Sequence, residues 1–156
     1  MNATIKNIFI LILTLSITSC GFQLRGSQDN SFSSIQIDGI SSGFTKELKK
    51  KYKQSGVEIK HSSAEKSIEI LIDQYDKRIL SLSATGKIRE YQLNYHISYR
   101  IKSSIGEWGP VIKINSTREY SYDDNNIVAK QEEERNLIKG MKEQIIRTMR
   151  SQISSA

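Results

Sequence analysis

The sequence predicts an α+β two-layer sandwich, a mostly antiparallel sheet of four to five strands with two helices packed on one face. Three observations predict it. Residues 91–101, YQLNYHISYRI, alternate without error: Tyr91, Leu93, Tyr95, Ile97, Tyr99 and Ile101 share one face, and Gln92, Asn94, His96, Ser98 and Arg100 the other. An antiparallel strand with one buried and one wet face has this pattern. Long β-patterned runs flank it at 67–80 and 111–122, set off by the turn-rich stretches 81–88 and 103–110. Two amphipathic helical patterns, at 44–54 and 123–153, are available to cover the apolar face.

The elements follow in order. Residues 26–34, GSQDNSFSS, are polar and read as a tether. SIQID (34–38) is a short strand with Ile35 and Ile37 on one face. FTKELKKKYKQ (44–54) places Phe44, Leu48 and Tyr52 at a spacing of four, with Ser42 to cap its start and Gly56 to end it. The run Lys49–Lys50–Lys51 reads as the wet side of that helix. VEIKH (57–61) is another short strand. In 67–80 the alternation of Ile68, Ile70 and Ile72 gives way to Tyr75 and Ile79, so a bulge is expected near Asp73–Gln74. In 123–153 an apolar stripe runs through Ile127, Ile138, Met141, Ile145 and Met149, with Glu134 and Gln152 in the same series. Asp123 or Asp124 is placed to cap that helix, and Arg147 and Arg150 near its end suit the helix dipole.

The 156 residues allow one domain with a real core. With 37% hydrophobic and 26% charged residues the composition is globular. A net charge of +6 suits anionic partners without choosing among lipid phosphates, acidic proteins and nucleic acid. One cysteine rules out an internal disulfide, and two distant histidines, His61 and His96, argue against a zinc site. His96 has no carboxylate or serine at an arranged spacing, and neither a Gly-rich phosphate loop nor a G-x-S-x-G motif occurs. The expectation is no enzyme, no metal and no cofactor.

The N-terminus gives a location. Lys6 precedes the apolar run IFILILTLSI (8–17), then come Thr18, Ser19 and Cys20. This is the order of a secretory signal, and the run is about half of what a membrane-spanning helix needs. ITSC (17–20) resembles the bacterial lipobox. That resemblance implies cleavage before Cys20 and N-acyl and S-diacylglycerol groups on it, enough chains for a stable anchor. The expected organisation is a leader at 1–19, a lipidated tether at 20–33 and one domain at 34–156. Gly21, not Asp, follows the cysteine, and the resemblance to other bacterial lipoproteins then implies delivery to the outer membrane over retention at the inner one.

SCGFQLRG (19–26), REYQL (89–93) and REYSYDDNNIVAKQEEERNLI (118–138), in this order and spacing, resemble the LptE family of lipopolysaccharide-assembly lipoproteins. The resemblance implies a plug in the lumen of an LptD-like outer-membrane β-barrel and direct contact with lipopolysaccharide. Lys130, in VAKQE, matches a basic residue of the family's lipid contact. A second family arginine falls near Ala84, where this chain departs from the pattern; Lys87 and Arg89 are the nearest substitutes, and Arg118 is a fourth candidate. Tyr91, Tyr95 and Tyr99 read as core, whereas Tyr120 and Tyr122 near a strand end are candidates for contact with the barrel wall. The alternative is a freestanding periplasmic lipid-binding lipoprotein. Nucleic acid is not expected: an export signal is present, and the tyrosines share their face with Leu93 and Ile97.

Overall fold

The computed structural model describes residues 31–102 and 106–156. The expected leader, Cys20 and the tether as far as residue 30 lie outside the described residues. In chain order come β1 (Ser34–Gly39), α1 (Gly43–Gln54), β2 (Glu58–Lys60), β3 (Lys66–Leu82), β4 (Ile88–Ile101), β5 (Ile112–Ser121), a 3-10 turn (Asp124–Asn126) and α2 (Ile127–Ser155). The strands form one mixed sheet in the order β2-β1-β3-β4-β5. β1 runs parallel to both β2 and β3, and β3, β4 and β5 are antiparallel. This is the α+β sandwich that the alternation pattern predicts.

The buried face of the sheet carries Ile35, Ile37, Ile68, Ile70, Leu93, Tyr95, Ile97 and Tyr99. α1 packs Phe44, Leu48 and Tyr52 onto it, and α2 adds Met141, Ile145, Ile146, Met149 and Ile153. Each of these side chains contributes about 1.5–3 kcal/mol by leaving water. α1 starts as its sequence dictates: the Ser42 hydroxyl accepts the Thr45 N–H at 3.2 Å. It ends at Ser55, followed by Gly56 at φ +80°.

Five local expectations are corrected. Phe32, placed in the tether by its polar surroundings, is only 6% exposed, with its ring centroid 5.9 Å from that of Tyr52. The packed domain therefore includes Phe32; a single aromatic in a polar run carries no periodic signal. The register of β3 first shifts between Ile70 and Ile72, at Leu71, before the expected Asp73–Gln74, and shifts again between Ile79 and Leu82 near the hairpin. Beyond Leu71, Tyr75, Lys77 and Ile79 face the helices, opposite Tyr95, Leu93 and Tyr91, while Ile72 has turned to the other face. Ile127 does not join the core: it is 45% exposed, its neighbour Val128 77%, and full burial in α2 begins only at Met141. Asp123 caps the 3-10 turn rather than α2; Asn126 at the start of α2 donates its side-chain amide to Asp123 at 2.8 Å and caps no helix N–H, and the last turn of α2 carries no basic residue. Arg147 and Arg150 thus lie short of the turn where the dipole would favour them.

Candidate functional site

The two helices divide the sheet between them. α1 begins beside Ile70, where the Thr45 hydroxyl donates to the Ile40 carbonyl at 2.7 Å and the Ile40 N–H donates to the Ile70 carbonyl at 3.1 Å. From there it returns toward the place where the chain enters the fold, and Glu58 N–H closes onto the Ser33 carbonyl at 2.9 Å. The distal half of β3 extends past α1. There Tyr75, Ile79, Leu80 and Leu82 stay partly exposed, as do Ile127 and Val128 on the first turns of α2.

The candidate cations gather at this distal end. Lys87 closes the β3–β4 hairpin: its carbonyl accepts the Ser83 N–H at 2.7 Å and its N–H donates to the Ser83 hydroxyl at 3.0 Å. Gly86, at φ +80°, supplies the left-handed position the turn needs. Arg89 stands two residues on, and its carbonyl takes the Tyr122 N–H at 2.7 Å, which ties the end of β5 to the start of β4. Lys130 reaches back from α2 to the Ser121 hydroxyl at 3.1 Å and pairs with Glu133 at 2.8 Å. Lys87, Arg89 and Lys130 thus share one end of the sheet. Arg118 lies further down β5, opposite Leu93, and donates to Gln144 on α2 at 2.5 Å. Tyr120 is 5% exposed, stacked on Tyr91 at 5.8 Å; Tyr122 is half-buried and meets Tyr91 edge-on at 5.2 Å.

Beneath these residues lies a charged hub joining α2 to the sheet. Glu134 accepts from Lys77 Nζ at 2.6 Å, from the Tyr120 hydroxyl at 2.7 Å and from the Tyr75 hydroxyl at 3.0 Å. Lys77 Nζ also sits 3.9 Å from the centre of the Tyr91 ring. Burial pushes the Glu134 carboxyl up, but the bonds from Lys77, Tyr120 and Tyr75 outweigh it and hold the group below its ordinary value. Burial likewise pulls Lys77 down, and its bonds with Glu134 and Tyr120 more than reverse this. Burial pushes the Tyr120 hydroxyl up to about 12. All the partners stay in their hydrogen-bonded charge states at neutral pH. The arrangement can hold α2 in place and present charge; it places no nucleophile beside a base.

A family model for LptE, described as lipopolysaccharide-assembly, matches residues 22–153. The chain belongs to the LptE family. Its family role is that of a lipoprotein in lipopolysaccharide assembly. Solved structures share the fold of this LptE-family chain. Lipoprotein B from Nitrosomonas europaea is 27% identical with a TM-score of 0.72, over 86% of this chain and 91% of that one. Rare lipoprotein B from Shewanella oneidensis is 21% identical with a TM-score of 0.68, over 78% of this chain and 94% of that one. A minor lipoprotein from Acinetobacter baumannii, at 16% identity, has a TM-score of 0.62, over 80% of this chain and 92% of that one. No curated protein matches the chain.

The hub was not foreseen from the sequence of this LptE-family chain. Glu134 gives a signal, since a carboxylate in the apolar series of a helix calls for a cation opposite it. Naming Lys77 requires the bulge at Leu71, which sets the facing of β3. Among the described residues no group of three or more His, Cys, Asp or Glu could hold a metal ion, and no helix is long and apolar enough to cross a membrane.

Proposed function

We propose that this chain is an outer-membrane lipoprotein, anchored by acylation of Cys20, that plugs an LptD-like β-barrel and helps it place lipopolysaccharide in the outer leaflet. In this reading the distal end of the sheet contacts lipopolysaccharide directly. One observation carries it: Lys87 and Arg89 at the β3–β4 hairpin share one end of the sheet with Lys130 of α2 and with exposed Ile79, Leu80, Leu82, Ile127 and Val128. An amphiphile with phosphates beside acyl chains needs that pairing, charge-assisted bonds for the phosphates and apolar surface for the chains. Arg118, engaged with Gln144, stands at the margin of the contact. Tyr122 is the more accessible aromatic toward a barrel wall, while Tyr120 acts from beneath through Glu134. The role is non-catalytic.

Extraction of the native membrane in mild detergent tests this reading. Stoichiometric co-purification with a large β-barrel is the expected result. A lone monomer at native expression would overturn the plug and leave the freestanding lipid-binding lipoprotein.

A further inference from the structure

α1 carries a second cationic surface, at the other end of the molecule. Lys46, Lys49, Lys50 and Lys53 follow the spacing i, i+3, i+4, i+7 and so line one side of the helix, away from buried Phe44, Leu48 and Tyr52. Lys46, Lys50 and Lys53 are exposed and Lys49 is half-buried. None of the four pairs with a carboxylate among the described residues, whereas Lys51, one step round the helix, meets Glu143 at 3.9 Å. Like charges at these spacings destabilise a helix, so the row costs stability that the fold does not recover internally.

We propose that this lysine row docks on the anionic phospholipid headgroups of the leaflet that holds the acylated Cys20. The inference rests on the anchoring part of the function proposed above. Two observations favour a lipid surface over an acidic protein. The row is all lysine, with no arginine whose planar fork would match a fixed carboxylate; compact ammonium charges suit a diffuse field of headgroups. The chain also enters the fold at this place. Phe32 packs on Tyr52, next to Lys53, and the Ser31 hydroxyl donates to the Ser154 carbonyl at 2.8 Å. The stretch from Cys20 to Ser31 spans at most about 38 Å when fully extended, and α1 is about 18 Å long, so the row stays within reach of the bilayer surface. The acyl chains hold the protein there, and the lysines set its orientation.

The test uses the full acylated chain in vesicles of phosphatidylcholine alone or with about 30% phosphatidylglycerol, followed by lysine acylation and mass spectrometry. Flotation with the neutral vesicles checks the anchor; failure there overturns the anchoring reading itself. In anionic vesicles, acylation of Lys46, Lys50 and Lys53 should slow about tenfold, while exposed Lys113 keeps its rate. Salt at about 0.5 M should abolish the protection. A bimane-labelled thiol introduced as Gln54→Cys should be quenched by brominated lipid only in the anionic vesicles. That quenching should disappear when Lys46, Lys49, Lys50 and Lys53 are all replaced by Gln. A chain that floats with both vesicles yet shows equal labelling overturns the docking surface. So does protection that arises only in complex with an acidic protein.

Discussion

At the residue scale, Glu134 is the side chain through which the exposed half of α2 is fixed to the sheet. Glu134→Gln keeps the shape and removes the charge that Lys77 and two tyrosine hydroxyls address. A loss of about 1–2 kcal/mol in urea unfolding at neutral pH is expected. The sign of the pH dependence follows from the depressed carboxyl. Its stabilisation is fully present above the ordinary value of 4.5 and is lost as pH falls through the lower native value. Wild type should therefore converge on the Gln variant as pH falls below the ordinary value of 4.5. Glu65 and Asp123, whose carboxyls are also held low, drop out of this difference because both proteins keep them. Lys130 is a different case: its side chain keeps 19% exposure and is held by the more exposed Glu133, a partner it can exchange for a phosphate. Lys130→Glu should weaken lipopolysaccharide binding about tenfold at low salt, with thermal unfolding unchanged. Undiminished affinity removes Lys130 from the site.

At the element scale, the sharpest constraint is where β1 ends. Gly39 has φ +90°, and a Cβ there would stand 2.1 Å from the Ile70 carbonyl oxygen. Gly39→Ala should cost about 3 kcal/mol from strain and clash together. A melting temperature within a few degrees of wild type would show that β1 shifts to absorb it. The same stretch shows what the sequence could and could not disclose. The Tyr91–Ile101 alternation was legible because its two faces meet different surroundings along the whole strand. β3 was less so: Leu71 is apolar and sits among Ile70 and Ile72, so nothing in the residue types marks which one leaves the register. α2 was legible from Met141 onward, where its stripe meets the sheet. Ile127 and Val128 continue the apolar pattern into solvent, and a periodic stripe does not reveal what covers it. The gathering of Lys87, Arg89 and Lys130 was only half legible. Each residue could be named, but their meeting depends on the hairpin and on the return of α2.

At the scale of the whole molecule, one end takes in the chain and carries α1, and the other presents the hairpin, the start of α2 and exposed apolar side chains. This polarity gives the proposed acylation of Cys20 a specific value. With Cys20→Ala, lipid labelling should vanish while the domain still folds, since every core contact described begins at or after Phe32. Labelled lipid persisting on the variant would refute the lipobox reading.

The placement of β1 also has a mechanical consequence. It lies inside the sheet, with β2 and β3 parallel to it on either side, and it is the first strand after the proposed anchor. A pull on the proposed lipid end, when directed along β1, loads the hydrogen bonds on both its edges together, rather than peeling them one by one. Tension between membrane and domain therefore meets the sheet in shear, the direction in which paired strands resist most. The fold is built to bear load where it is tied.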